Sequence, residues 1–213
     1  MYRISFTIAL FMGLPGGVYA EVVQDRLHVD NEQVRQLHTF ENRLMDLHKK
    51  QLSEHETRTT ETIGGYDNFP DFYREVSYFD RKTGKLLSRV QWEREHPDVL
   101  HNLEVYVYDD KDRVIRDYLV SYLPYARNAP VQALINLHGY KDQLHAFRQF
   151  DVSTDVIYEY CNGQFEGKKR QIRLFEDDLV SSGNEMQALT DSPLYQACFS
   201  GIPQQLGKYI DPQ

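Results

Sequence analysis

The chain has 213 residues, 41% of them hydrophobic and 26% charged, and its formal net charge is −8. These values fit one soluble globular domain with its own core and exclude an intrinsically disordered chain. The acidic balance argues against nucleic acids and anionic membrane surfaces as partners, because both require clustered Lys and Arg. The longest basic cluster, residues 168–170, is too small to reverse this and is interpreted as the solvated start of a strand.

The first stretch of the chain, MYRISFTIALFMGLPGGVYA, has the pattern of a secretory signal peptide. Arg3 supplies the positive start, residues 4–14 form an apolar run too short to cross a bilayer, and Ala20 stands at the cleavage position. We predict a signal peptide over residues 1–20 and a periplasmic or secreted protein. No later apolar run reaches membrane-spanning length, so no transmembrane segment is expected after signal removal.

Residues 29–55 are predicted to form one amphipathic helix. Its apolar residues recur at steps of three and four and share one stripe: Val34, Leu37, Phe40, Leu44 and Leu47. His48 and His55 are interpreted as part of the solvated side of this helix. The following stretch, which ends at Gly65, has lost the stripe and is interpreted as a linker. Residues 21–65 are therefore predicted to hold the N-terminal helix and linker.

After this segment, apolar residues recur at every second position instead of every third or fourth, which is typical of half-buried strands. About eight strands are predicted, over residues 73–79, 85–93, 103–108, 114–123, 131–138, 144–150, 156–161 and 170–175. Their short connections favour an antiparallel meander, because parallel strands need long crossovers. The predicted fold class is α+β, mainly β: the N-terminal helix, the meander as an open curved sheet or a barrel, and a short C-terminal helix. The β domain is predicted to cover residues 66–213.

Three connections of this meander share one pattern: an aromatic residue ends a strand and an Asp opens a five-residue loop. The loops are DRKTG after Phe79, DDKDR after Tyr108 and DVSTD after Phe150. A short Asp carboxylate can accept backbone N–H groups two residues further on and so begin the reversal. The acidic cluster DDKDR is therefore interpreted as a turn, because it lacks the ligand spacing of a calcium loop.

The loop after Tyr108 sets the expected register of its hairpin, in which Tyr108 pairs with Val114 and Leu103 with Leu119. This register leaves one aliphatic face, on which Asp117 is a misfit, and one tyrosine-rich face. This second face is the candidate binding surface, since Tyr combines apolar area with a hydroxyl group. Its candidate residues are Tyr106, Tyr108, Tyr118 and Tyr122. Burial of the same face as core under the N-terminal helix explains the tyrosines equally well.

The C-terminal segment is predicted to be held by a disulfide. Cys161 and Cys198 are the only two cysteines, and an even pair in an exported protein indicates a bridge. Ser192 and Pro193 have the residue types of a helix N-cap and first helical position, so a short helix is expected there. The bridge would fasten this helix to the seventh predicted strand.

No catalytic or cofactor motif is present in the sequence. It lacks a Gly-x-Ser-x-Gly elbow, a Ser-x-x-Lys pair, a Gly-rich phosphate loop and a complete zinc-protease pattern. His138 and His145 flank a predicted hairpin and can approach each other, but two His residues do not make a metal site, and a structural or surface role is expected. We therefore predict no catalytic residue, metal or cofactor.

Three functions are consistent with these observations. The leading hypothesis is an exported, non-enzymatic binding or assembly-accessory protein that engages a protein partner. The alternative is a carrier of a small apolar ligand, with a cavity inside a barrel or cupped sheet. The third is a hydrolase whose catalytic triad cannot be recognised from one sequence.

Overall fold

The computed structural model describes residues 32–125, 129–152, 156–175, 177–178 and 184–212. They form one long helix, a nine-stranded antiparallel sheet in which the strands follow chain order, two short helices and a 3-10 turn. The elements are α1 (Glu32–Glu54), β1 (Thr57–Tyr66), β2 (Phe69–Asp80), β3 (Leu86–Glu93), β4 (Leu100–Tyr108), β5 (Val114–Ser121), β6 (Gln132–Lys141), β7 (Leu144–Asp151), β8 (Val156–Phe165), β9 (Lys168–Phe175), α2 (Asn184–Thr190), α3 (Pro193–Phe199) and the 3-10 turn Gly207–Ile210. The predicted signal peptide lies outside the described residues.

The fold class is the predicted one: a helix, an antiparallel meander and a short C-terminal helix. The sheet stays open in the described residues, because β1 and β9 stand at its two ends and each pairs with one neighbour only. The barrel form of the prediction therefore does not apply. All eight predicted strands are present as β2 to β9, with small differences at their ends.

The segment interpreted as a linker is instead the first strand, β1. It pairs with β2 over nearly its whole length, from Thr57 opposite Asp80 to Tyr66 opposite Phe69. The alternation rule missed β1 because this edge strand buries almost no side chain. Its tendency to extend comes from four threonines and Ile63, whose β-branched side chains favour strands without needing a buried face.

The helix α1 packs with its predicted stripe onto one face of the sheet, which we call the covered face. Leu37, Phe40 and Leu44 are buried there with the inward residues of the central strands. The contacts of α1 fall on β3, β4 and β6, and those of α3 on β6 and β7. The covered face is thus filled by side chains. We call the opposite face of the sheet the open face.

The C-terminal segment is fastened to β8 as predicted, since Cys161 and Cys198 form a disulfide. Ser192 caps α3 by accepting the backbone N–H of Tyr195, also as predicted. Beside the bridge, the Arg148 guanidinium donates to the Glu159 carboxylate at 2.5 Å, and both side chains are almost fully buried. Arg148 also donates to the carbonyl oxygen of Ile202, which ties the sheet to the chain after α3.

Candidate functional site

The predicted tyrosine surface does not form, because the hairpin of β4 and β5 contains a β-bulge. Tyr108 pairs with Val114 as expected, but the next pair joins Val107 to Arg116, which leaves Ile115 as the extra residue. Beyond the bulge Leu103 pairs with Val120 rather than with Leu119. A shift of one residue moves each side chain to the other face, so the predicted separation of the two faces is wrong.

The four candidate tyrosines consequently lie in different environments. Tyr118 is fully buried on the covered face, with its ring centroid 6.2 Å from that of Phe40. Tyr106 is on the open face, where its hydroxyl donates to Glu104, and burial raises its pKa. The hydroxyl of Tyr108 donates to the carbonyl oxygen of Leu86. Tyr122 is half-buried against the core, and burial also raises its pKa. They do not share one surface.

A different group of aromatic side chains is exposed at the end of the sheet where β1 turns into β2. We call it the aromatic patch and define it as Tyr66, Phe69, Phe72 and Tyr125. Tyr66, Phe69 and Tyr125 are 45%, 42% and 49% exposed, whereas Phe72 is buried beneath them. The Phe72 ring lies 6.0, 6.1 and 5.2 Å from those of Tyr66, Phe69 and Tyr125. The patch is therefore one contiguous cluster and not a set of scattered apolar residues.

Local structure fixes the aromatic patch in place. Tyr66 pairs with Phe69 across a two-residue turn, and the register shifts between Gly64 and Tyr66. A Cβ atom at Gly65 would lie 1.9 Å from the carbonyl oxygen of Phe69, so only glycine fits this close approach. The Tyr66 hydroxyl forms a hydrogen bond with Nε2 of the buried His101, and burial lowers the pKa of His101.

A surface cavity of about 250 Å³ opens beside the aromatic patch. Its apolar wall is formed by Phe69, Pro70, Phe72 and Tyr125, and its acidic rim by Asp71, Glu93 and Glu95. Glu93 is almost fully buried and accepts the backbone N–H of Tyr125 at 3.2 Å. We use the term acidic rim for these three carboxylates. The cavity thus combines an apolar floor with negative charge at its edge.

The open face carries a hydrogen-bonded chain of one carboxylate and two imidazoles. His138 Nε2 lies 2.6 Å from Asp117 Oδ2, and His138 Nδ1 lies 2.9 Å from His145 Nε2. The expected approach of the two histidines is therefore confirmed. Burial lowers the pKa of His145, and the neighbouring His138 lowers it further. Both nitrogens of His138 are occupied, and no Ser or Cys among the described residues is bonded to either ring. This group of three side chains therefore does not have the arrangement of an activated serine or cysteine nucleophile.

In the first two acidic loops, the leading Asp accepts backbone N–H groups as predicted. Asp109 Oδ1 accepts the backbone N–H groups of Lys111 and Arg113, both at 2.9 Å, and its other oxygen accepts from the Arg113 guanidinium. Asp80 accepts hydrogen bonds from the backbone N–H groups of Thr83 and Lys82. These bonds, of which the one from Thr83 has the larger effect, lower the pKa of Asp80 to about 2. The central part of the third loop lies outside the described residues.

The interpretation of His48 as a solvated residue is wrong. It is 6% exposed under α1, and its Nδ1 atom lies 2.9 Å from Ser88 Oγ. Burial lowers the pKa of His48 to about 4, so the ring is neutral in the folded protein. His55 lies nearer the surface, where it contacts Asp80 at 2.6 Å.

Comparison with known proteins adds no assignment, since no family model, curated protein or solved structure matches the chain. Among the described residues, no group of three or more His, Cys, Asp or Glu side chains can hold a metal ion. No helix in the described part of the chain is long and apolar enough to cross a membrane. The aromatic patch is the candidate functional feature that sequence reasoning missed, although the stretch YDNFPDFY, with four aromatics in eight positions, marks it.

Proposed function

We propose that this protein is an exported, non-enzymatic binding protein that engages a protein partner through the aromatic patch. The observation that carries the proposal is the exposure of Tyr66, Phe69 and Tyr125 above the buried Phe72, beside a cavity. Aromatic residues are enriched in the cores of protein interfaces, where they lose little conformational entropy on binding. The disulfide supports the exported part of the proposal, because such bridges persist in oxidising compartments.

The acidic rim indicates the chemistry of the partner. An apolar floor with the exposed carboxylate of Glu95 at its edge suits a segment that inserts an apolar or aromatic side chain next to Lys or Arg. The apolar side chain supplies most of the affinity, and the charges supply orientation and association rate. The small-ligand alternative has less support, since the covered face is filled and the open sheet encloses no barrel interior.

Site-directed photo-crosslinking in the native compartment tests this proposal. A photo-reactive phenylalanine analogue at position 69 should give one dominant protein adduct, and the same analogue at position 210 should not. Ile210 is a matched control, since it is 42% exposed and lines a different surface cavity, together with Phe40 and Val152. The identified partner is then titrated against purified variants.

The titration has an expected order of effects. Phe69→Ala and Tyr125→Ala should each weaken binding by about tenfold or more, as expected for central interface aromatics. Glu95→Gln should weaken binding less and reduce its dependence on salt, and Ile210→Ala should leave it unchanged. Equal affinity of the Phe69→Ala variant and the wild type would show that the patch is not the binding surface.

A further inference from the structure

The edge strand β9 carries a cluster of four basic side chains. Lys168, Lys169, Arg170 and Arg173 are all exposed, and none of them forms an ion pair with a described carboxylate. The chain as a whole has a formal net charge of −8. Elsewhere, by contrast, most arginines contact an Asp or Glu, as in the pairs Arg94–Asp71 and Arg113–Asp109. The cluster is thus a local positive region on an acidic protein.

The four cations point to both faces of the sheet. Ile172 and Leu174 are buried on the covered face, so Lys168 and Arg170 lie on that side, and Lys169 and Arg173 lie on the open side. A ligand that lay flat on one face would meet only two of these charges. An extended strand along the edge of β9 would meet all four, because its own side chains alternate between the two faces with the same period.

The backbone of β9 suits such an addition. Its pairing with β8 runs without a bulge from Tyr158 opposite Phe175 to Phe165 opposite Lys168. No described strand pairs with its other side, since β9 is the last strand of the sheet. A regular unpaired edge presents N–H and C=O groups at the spacing that another strand needs. The N–H of Phe175, at the end of the strand, already donates to the carboxylate of Asp178 at 3.0 Å.

We propose that β9 binds an acidic, extended peptide segment of a partner protein as a tenth strand. Main-chain hydrogen bonds supply affinity, and carboxylates opposite the four cations supply specificity. Phe175, which is 60% exposed and packs on Tyr158 at 5.0 Å, offers an apolar contact at one end. The same cations repel the β9 strand of a second copy, so the edge rejects self-pairing and admits an acidic strand. This site does not depend on the aromatic patch, which lies at the opposite edge.

Fluorescence anisotropy with labelled synthetic peptides tests the proposal on the full mature chain. The probe is a blocked, strand-length peptide rich in Glu, Thr and Val, and two counterparts accompany it. One has Lys in place of Glu, and the other keeps the sequence but carries N-methyl groups on alternate amides. We expect salt-sensitive binding of the first peptide only, together with protection of the β9 amides from hydrogen exchange.

Charge-reversal variants distinguish binding along the β9 edge from binding on one face of the sheet and from an effect of net charge. The pairs Lys168→Glu with Arg170→Glu, and Lys169→Glu with Arg173→Glu, should each weaken binding by about tenfold. The control pair, Lys82→Glu with Lys111→Glu, makes the same change in net charge in two exposed turns and should leave the affinity within about twofold. Circular dichroism of each variant verifies that it is folded.

Three results would overturn the proposal. Equal binding of the N-methylated peptide, or of oligogalacturonate as a non-peptide polyanion, would show that charge alone is recognised. Loss of binding in only one of the two β9 pairs would place the ligand on a face of the sheet. Absence of binding by the acidic peptide at low salt would show that β9 is not a peptide-binding site, and it would leave the proposal for the aromatic patch unaffected.

Discussion

The two edges of this sheet are secured in different ways. On the β9 side, the neighbouring strand β8 carries a disulfide to α3 and a buried ion pair between Glu159 and Arg148 of β7. On the β1 side, the cross-strand ion pairs are exposed, as in Arg74–Glu61, where the side chains are 37% and 54% exposed. Removing a disulfide or one partner of a buried ion pair costs about 2–5 kcal/mol, whereas removing one partner of an exposed ion pair costs about 1 kcal/mol or less.

This difference indicates which substitutions each edge can accept without a large loss of stability. The aromatic patch on the β1 side is held by packing and by a tight hairpin, so its surface can be altered at little cost in folding. The β9 edge rests on a fixed support, so a strand added there meets a rigid template, which lowers the entropic cost of binding. If the contrast is right, stability should fall steeply when the buried links behind β9 are removed and hardly at all when exposed side chains of β1 are changed.

The largest effect is expected at Glu159. Glu159→Gln removes the counter-ion of Arg148, which is 2% exposed, and should lower the free energy of unfolding by about 3 kcal/mol. Urea unfolding at neutral pH measures this loss. The double variant Arg148→Met with Glu159→Leu should recover most of it, because no buried charge remains unpaired. A loss below about 1 kcal/mol would mean that the ion pair does not secure this side.

Removal of the disulfide should have the next largest effect. The bridge joins residues 37 positions apart, and the variant Cys161→Ser with Cys198→Ser should lose about 2–4 kcal/mol of stability. Hydrogen exchange should show faster opening of α3 and β8, with β1 and β2 unaffected until global unfolding. Uniform acceleration across all strands would contradict the contrast between the edges.

An intermediate effect is expected at His48, which lies on α1 against β3. Its pKa is about 4 in the folded protein against 6.5 for the ordinary group, so the unfolded chain binds more protons between these values. This contribution to stability is complete above about pH 6.5 and is lost as the pH falls towards 4. Between about pH 7.5 and pH 5, wild type should lose about 2 kcal/mol more than His48→Gln in urea unfolding. Parallel pH profiles would show that His48 titrates normally.

Most of the fold follows from patterns that the sequence states directly. Alternation identifies β6 because Ala133, Ile135 and Leu137 are all buried on one face. The helical stripe identifies α1 for the same reason. The disulfide follows because two cysteines permit one pairing only. These features rest on residue type and spacing, which tertiary context does not change.

The register of the β4–β5 hairpin shows why the candidate surface could not be predicted. Loop length alone does not reveal a bulge. The bulge at Ile115 moves the side chains of the remaining β5 residues to the face opposite the predicted one. The misfit of Asp117 on the predicted aliphatic face was the available signal. In the observed register Asp117 lies on the open face, where it accepts from Asn136 at 2.6 Å and contacts His138. A polar residue among core positions therefore indicated a slipped register.

The smallest effect is expected at the β1 edge, and it completes the contrast. Glu61→Gln removes the negative charge that faces Arg74 at 3.1 Å between two partly exposed side chains and should change stability by less than about 0.5 kcal/mol. The same variant should bind the partner of the aromatic patch normally, since Glu61 does not line its cavity. A loss of more than about 1 kcal/mol would mean that β1 depends on its ion pairs. The weak burial of this edge would then be offset by charge, and the two edges would be secured to a similar degree.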